Sequence, residues 1–217
     1  MSRINFASLI PAMMDGMLTS LAIFFLTLLI ALPLGLIVSA GRMTKYRIIR
    51  WPVQLYLLIM RGTPLMLQLF FFYFGPFYLL GIRGVSRFAM AILAFGLNYT
   101  AYFAEIYRGG LESIPIGQHE AAAALGFTRR QTFFKIILPQ VVKRVIPPMG
   151  NEFMTLVKDT SLVQVISVSE LFNVAQKAAT GYVSPIPLAV AAVFYLVMNA
   201  VVGQAFLFAE RKLDYYR

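Results

Sequence analysis

Several stretches of this 217-residue chain run for roughly 20 residues with almost no charge, the length a helix needs to cross a bilayer. Hydrophobic residues make up 59% of the sequence and charged residues 13%. Soluble domains run nearer 45–50% and about 25%. A soluble helical protein with such runs would be too apolar to stay in solution. The expected fold class is an all-α membrane protein with five transmembrane helices, organised as one domain over residues 1–217. The spans fall at about 17–40, with a kink at Pro33–Gly35, and 53–80, interrupted by Arg61-Gly62-Thr63-Pro64. The others are 88–106, 145–168 and 187–209. The first fifteen residues carry a weak signal for an interfacial helix.

Charge placement orients these spans, because Lys and Arg gather on the cytoplasmic side. Thirteen of the nineteen Lys and Arg residues sit in the 42–50 segment, the 107–144 loop and the tail. Arg3, Arg83, Arg87 and Lys177 lie on the opposite side, and Arg61 and Lys158 fall inside spans. The N-terminus is therefore expected outside and the C-terminus in the cytoplasm. Topology thus accounts for the net charge of +10, and nucleic acid is not an expected partner. Asp15 and Gly16 precede an apolar run too long for a signal-peptide core. With no cysteine and a single histidine, His119, thiolate and multi-histidine metal sites are excluded. No Gly-x-x-x-x-Gly-Lys-Ser/Thr phosphate loop is present, so the chain is not expected to bind ATP. The aromatic run from Phe70 to Tyr78 reads as an interfacial belt or helix packing rather than substrate contact.

The 107–144 loop is polar yet ordered in design. Pro115 suits a helix start, four consecutive alanines favour the helix 118–125, and Gly126 ends it. Thr128-Arg129-Arg130-Gln131 fits a capping box opening a second helix, which Phe133, Phe134, Ile136, Ile137 and Leu138 lead toward the bilayer. The small residues let another protein surface approach closely.

Glu120-Ala121-Ala122, three residues, Gly126, nine residues, Ile136, one residue, Leu138-Pro139 resembles the signature loop of binding-protein-dependent ABC importer permeases. Arg61-Gly62-Thr63-Pro64, Ala104 to Gly110, Gly117-Gln118 and Lys158 to Leu162 resemble the branch importing polar amino acids. The likeness implies a type I importer permease fold in a bacterial inner membrane, with the hairpin as a coupling helix on a cytoplasmic ATPase. Glu120, Ala121, Ala122, Leu125, Gly126 and Phe127 would make that contact. It implies no enzyme activity in this chain, ATP and magnesium on the separate ATPase, an extracytoplasmic binding protein and a second permease copy or homologue. Lipid surrounds the spans. An ATP-independent secondary transporter or channel is the alternative class, with the hairpin a plain connector.

Charges inside a span are expensive and mark function. The 145–168 span holds the densest set, including Asn151, Glu152, Lys158, Asp159, Thr160, Ser161 and Gln164. Glu152 and Asp159 are seven residues apart, two turns along one helix face. Two acids lining a cavity would attract an amino group or a cationic side chain; alternatively, Lys158 or Arg61 neutralises them. Candidate substrate contacts are Asp159, Glu152, Asn98, Thr160, Ser161 and Arg61. The substrate expected is a polar amino acid, with arginine, lysine or histidine ahead of glutamine or glutamate. Glu105, beside Arg108, reads as a structural ion pair.

Overall fold

The computed structural model describes residues 4–213; Arg3 and Arg217, counted above in the charge balance, lie outside the described residues. The described residues form helices joined by short turns. Helix α1 (Phe6–Met43) is capped by Asn5, whose Oδ1 accepts from the N–H of Ala7 at 3.1 Å. It runs 38 residues without a break. At 1.5 Å per residue that is about 57 Å, well beyond a hydrocarbon core of about 30 Å. The helical start at Phe6 is thus the first part of α1, not a separate interfacial element. The helix also continues through Pro33, and Gly35 serves close approach: a Cβ there would lie 3.0 Å from Cβ of Phe103 on α4.

The expected 53–80 span is two helices, α2 (Arg47–Gly62) and α3 (Leu65–Leu80), bent by 109° at their junction. Pro64 supplies no N–H to continue the helix, and the residue before a proline is pushed to extended geometry. Thr63 shows this, at φ −120° and ψ 146°. Helix α4 (Arg87–Glu112) opens on Ser86, whose hydroxyl accepts from Ala89, and packs along α1 and α3 as the centre of the bundle.

Helices α5 (Ile116–Ala124) and α6 (Arg129–Thr132) form the hairpin, and a π-helical turn (Phe133–Ile137) leads into α7 (Leu138–Asp159). A 3₁₀ segment (Thr160–Ile166) follows and stops at Ser167, which takes φ 60°. The helical course through the expected 145–168 span therefore starts earlier, at Leu138, and changes character at Thr160. Helices α8 (Leu171–Tyr182) and α9 (Ile186–Leu213) complete the fold.

Among the described residues, α1, α4 and α9 are long and apolar enough to cross a membrane, and the bent α2–α3 pair makes a fourth such unit if it is one span. The core lies where α1, α3, α4, α7 and the 3₁₀ segment meet. Met13, Ile23, Leu69, Phe95, Phe103, Leu156 and Val163 are sealed there, and Phe153 packs edge-on against Phe24, Phe103 and Phe206. Phe25, Leu29 and Ile37 on α1 and Leu196 and Val201 on α9 are exposed, as a lipid-facing surface requires. The aromatic run divides: Phe70, Phe72 and Tyr73 pack on the core, and Phe71 and Tyr78 face outward.

Candidate functional site

The break between α2 and α3 opens a cavity of about 500 Å³. One wall is Arg61, Gly62, Thr63, Pro64 and Leu65; α4 supplies Asn98, Tyr99 and Tyr102; α7 supplies Glu152, Thr155 and Asp159. The seven-residue spacing does bring Glu152 and Asp159 to one cavity. Asp159 Oδ2 accepts the hydroxyl of Tyr99 at 2.8 Å. Glu152 is half-buried and has no hydrogen-bond or ion-pair partner among the described residues.

Neither acid forms a salt bridge within 4 Å. The neutralisation considered from sequence is reduced to longer-range attraction, Arg61 acting on Glu152 and Lys158 on Asp159. Lys158 is exposed. Arg61 pairs instead with Glu105, Nη1 to Oε2 at 3.6 Å, and its guanidinium lies 5.6 Å from the Tyr102 ring centroid. Glu105 also takes Arg42 at 3.7 Å and Arg108 at 2.7 Å, and Arg108 bonds Glu112. The pairing of Glu105 with Arg108 is as the sequence implied. A second cavity of about 520 Å³ lies on this charged side, lined by Arg42, Gln54 and Glu105, and shares Arg61 and Gly62 with the first.

Of the remaining candidates, Asn98 reaches the cavity wall but spends its amide on Met60 O and Gln68 Oε1, each at 3.0 Å. Thr160 and Ser161 are not brought to the acid cavity. The Thr160 hydroxyl is buried and donates to Val157 O, and that of Ser161 donates to Lys158 O, both at 2.8 Å. At the end of α7 these hydroxyls cap carbonyls of their own turn.

Gln68 and Glu170 are buried polar residues that the sequence did not mark out. Gln68 bonds across the α2–α3 break. Glu170, fully buried, caps α8 through Phe172 N at 2.8 Å and Asn173 N at 2.7 Å. It also accepts from Tyr195 at 3.0 Å and Ser20 at 3.3 Å. An acid just ahead of an amphipathic run was the one available signal for the latter.

The hairpin is built as its caps dictate. Gly126 takes φ +77°, a conformation that costs a residue with a Cβ. Its N–H meets Ala123 O and that of Phe127 meets Ala122 O, both at 3.0 Å, closing the helix end. Thr128 Oγ1 accepts from Gln131 N at 3.3 Å, and Gln131 Oε1 accepts from Thr128 N at 2.9 Å, the reciprocal capping box. Ala122 is buried, whereas Ile116 and Leu125 are 72% and 76% exposed; Glu120, Ala121 and Gly126 are exposed too, and Phe127 is partly so. Gln140 on α7 donates to Gln118 at 3.3 Å, and Arg144 donates to Ser113 O, so the hairpin is braced at its root.

Residues 31–215 match the model of the binding-protein-dependent transport system inner membrane component. The chain belongs to this family. The permease is 36% identical over 95% of its length to the L-cystine transport system permease protein TcyB of Bacillus subtilis, covering 88% of it. It is also 36% identical to the arginine transport system permease protein ArtQ of the same organism, over 94% of this chain and 93% of that one. Among solved structures it is similar to an amino acid ABC transporter crystallised with histidines, at TM-score 0.87 and 30% identity, covering 97% of this chain and all of that one. As a membrane component of such a system, the permease is a transporter subunit and not an enzyme; ATP hydrolysis belongs to a separate subunit.

Proposed function

We propose that the permease forms the translocation pathway of an ATP-driven importer for a polar amino acid, with cationic side chains preferred. One observation carries this reading: two acids, Glu152 and Asp159, share a cavity and neither forms a salt bridge, the nearby Arg61 being engaged by Glu105. A buried carboxylate without a partner is costly, and a bound cation relieves that cost. Asp159, held by Tyr99, takes the substrate's amino group, and Glu152 takes a cationic side chain. Arg61 and the N-terminal end of α3, which begins at Leu65 on the same wall, face the carboxylate. Broken spans place helix ends at substrates in this way in other transporters. The names of two relatives, an arginine permease and a cystine permease, support the amino-acid class; they do not agree on a side chain. Glutamate fits less well, because it would bring a third carboxylate to the acids.

The α5–α6 hairpin is the coupling element. Ile116 and Leu125 offer apolar contact beside the small residues 121–124, so a cleft of the ATPase can close on Glu120, Ala121, Leu125, Gly126 and Phe127. Ala122 is buried and packs the helix against the permease instead of meeting the partner. ATP and magnesium act on that partner. Helix α7 completes five spans, its polar face turned to the cavity rather than to lipid. A second permease copy or homologue and an extracytoplasmic binding protein complete the importer, with the N-terminus outside and the hairpin in the cytoplasm.

The test is uptake of labelled arginine by the complex reconstituted in liposomes with its binding protein. Uptake should require the ATPase and ATP, and lysine and histidine should compete better than glutamine or glutamate. Uptake by this chain alone under an ion gradient would overturn the reading.

A further inference from the structure

Met60 lies four residues before Pro64, so in a continuous helix its carbonyl would accept the N–H of residue 64, which proline lacks. Two side-chain amides stand in for it: Gln68 Nε2 and Asn98 Nδ2, each 3.0 Å from Met60 O. The amide hydrogens of Gln68 are shared further with Thr63, 2.8 Å from its Oγ1 and 3.2 Å from its carbonyl. Gln68 Oε1 in turn accepts from Asn98 at 3.0 Å. Both residues are buried, Gln68 at 7% exposure and Asn98 at 4%. One clasp thus joins the end of α2, the start of α3 and the middle of α4. Because Gln68 and Asn98 are themselves buried, the Met60 carbonyl freed by the break is satisfied by these two amides.

We propose that Gln68 is a positioning residue, holding the α2–α3 corner and through it placing Arg61 at the wall of the acid cavity. Gln68 does not line the cavity, whereas the segment it grips, from Arg61 to Leu65, forms one whole side of it. Asn98 belongs to the same clasp rather than to the ligand. This role rests on reading that cavity as the substrate site.

Two measurements on the assembled transporter separate the parts. The chain has no cysteine, so Leu58→Cys and Phe71→Cys, both at exposed positions flanking the corner, accept a spin-label pair. In Gln68→Leu the distance distribution between the labels should widen. The KM for arginine uptake should rise about tenfold, while assembly and substrate-free ATP hydrolysis persist. Gln68→Glu, which keeps the shape but loses the amide donors, should do the same. If Gln68→Leu fails to assemble, Asn98→Ala removes one donor and should move both readouts in the same direction by less. An unchanged distance distribution overturns the clasp. A widened distribution with KM unchanged, where Arg61→Gln alone raises KM, overturns the positioning role. Unchanged KM in Arg61→Gln alone overturns the positioning role, and unchanged KM in Asp159→Asn as well overturns the cavity reading itself, whatever Gln68 does.

Discussion

The hydroxyl of Tyr99 stands 2.8 Å from Oδ2 of Asp159, joining the middle of α4 to the last residue of α7. The two residues are 60 positions apart in sequence, and their bond fixes one carboxylate oxygen of an acid that lines the cavity. Tyr99→Phe keeps the ring packing and removes only this bond. A hydrogen bond to a charged group is worth about 1.5–3 kcal/mol, so the KM for uptake should rise about tenfold or more. Initial-rate uptake at graded substrate concentrations checks it.

The hairpin should couple ATP hydrolysis to transport without touching substrate affinity. Thr128→Ala removes the cap of α6, a change that costs about 1 kcal/mol in typical helices. Gly126→Ala forces a Cβ into φ +77°, at a similar cost of about 1–2 kcal/mol. Both variants should weaken co-purification with the ATPase and lower the maximal uptake rate, with substrate KM within about twofold of wild type.

Leu125, 76% exposed, is the apolar residue of the hairpin most open to a partner. Leu125→Asp should abolish ATPase binding, as a charge at the core of an interface does, while leaving the melting temperature of the isolated permease unchanged. Pull-down and a detergent melting curve together test this.

Glu170 caps α8 through two backbone N–H groups and ties it to α1 through Ser20 and to α9 through Tyr195. Glu170→Ala leaves Tyr195 and two backbone N–H groups without acceptors, and each unmet buried donor costs about 1–3 kcal/mol. The variant should melt well below wild type. Glu170→Gln, which keeps acceptor oxygen, should recover part of the loss.

What could be read from sequence divides along the range of the forces involved. The hairpin was legible almost residue by residue, because Pro115, Gly126 and the Thr128–Gln131 box act within one or two turns. Glu152 and Asp159 stood out because charge is rare in an apolar run and their spacing fits one helix face. The α2–α3 corner was half visible: Pro64 marked an interruption, but not a bend of 109°. Gln68, Glu170 and the bond between Tyr99 and Asp159 were hidden, since each depends on partners from a different helix; Ser20 is 150 residues from Glu170. Thr160 and Ser161 misled because polar residues at a helix end cap their own carbonyls as readily as they face a cavity.

The most direct test of the cavity's role is competition uptake by the full transporter carrying Glu152→Gln or Asp159→Asn. Asp159→Asn should weaken uptake of every amino acid tested, and Glu152→Gln should selectively remove the advantage of arginine and lysine over glutamine. Unchanged arginine affinity and unchanged selectivity in both variants would contradict that role.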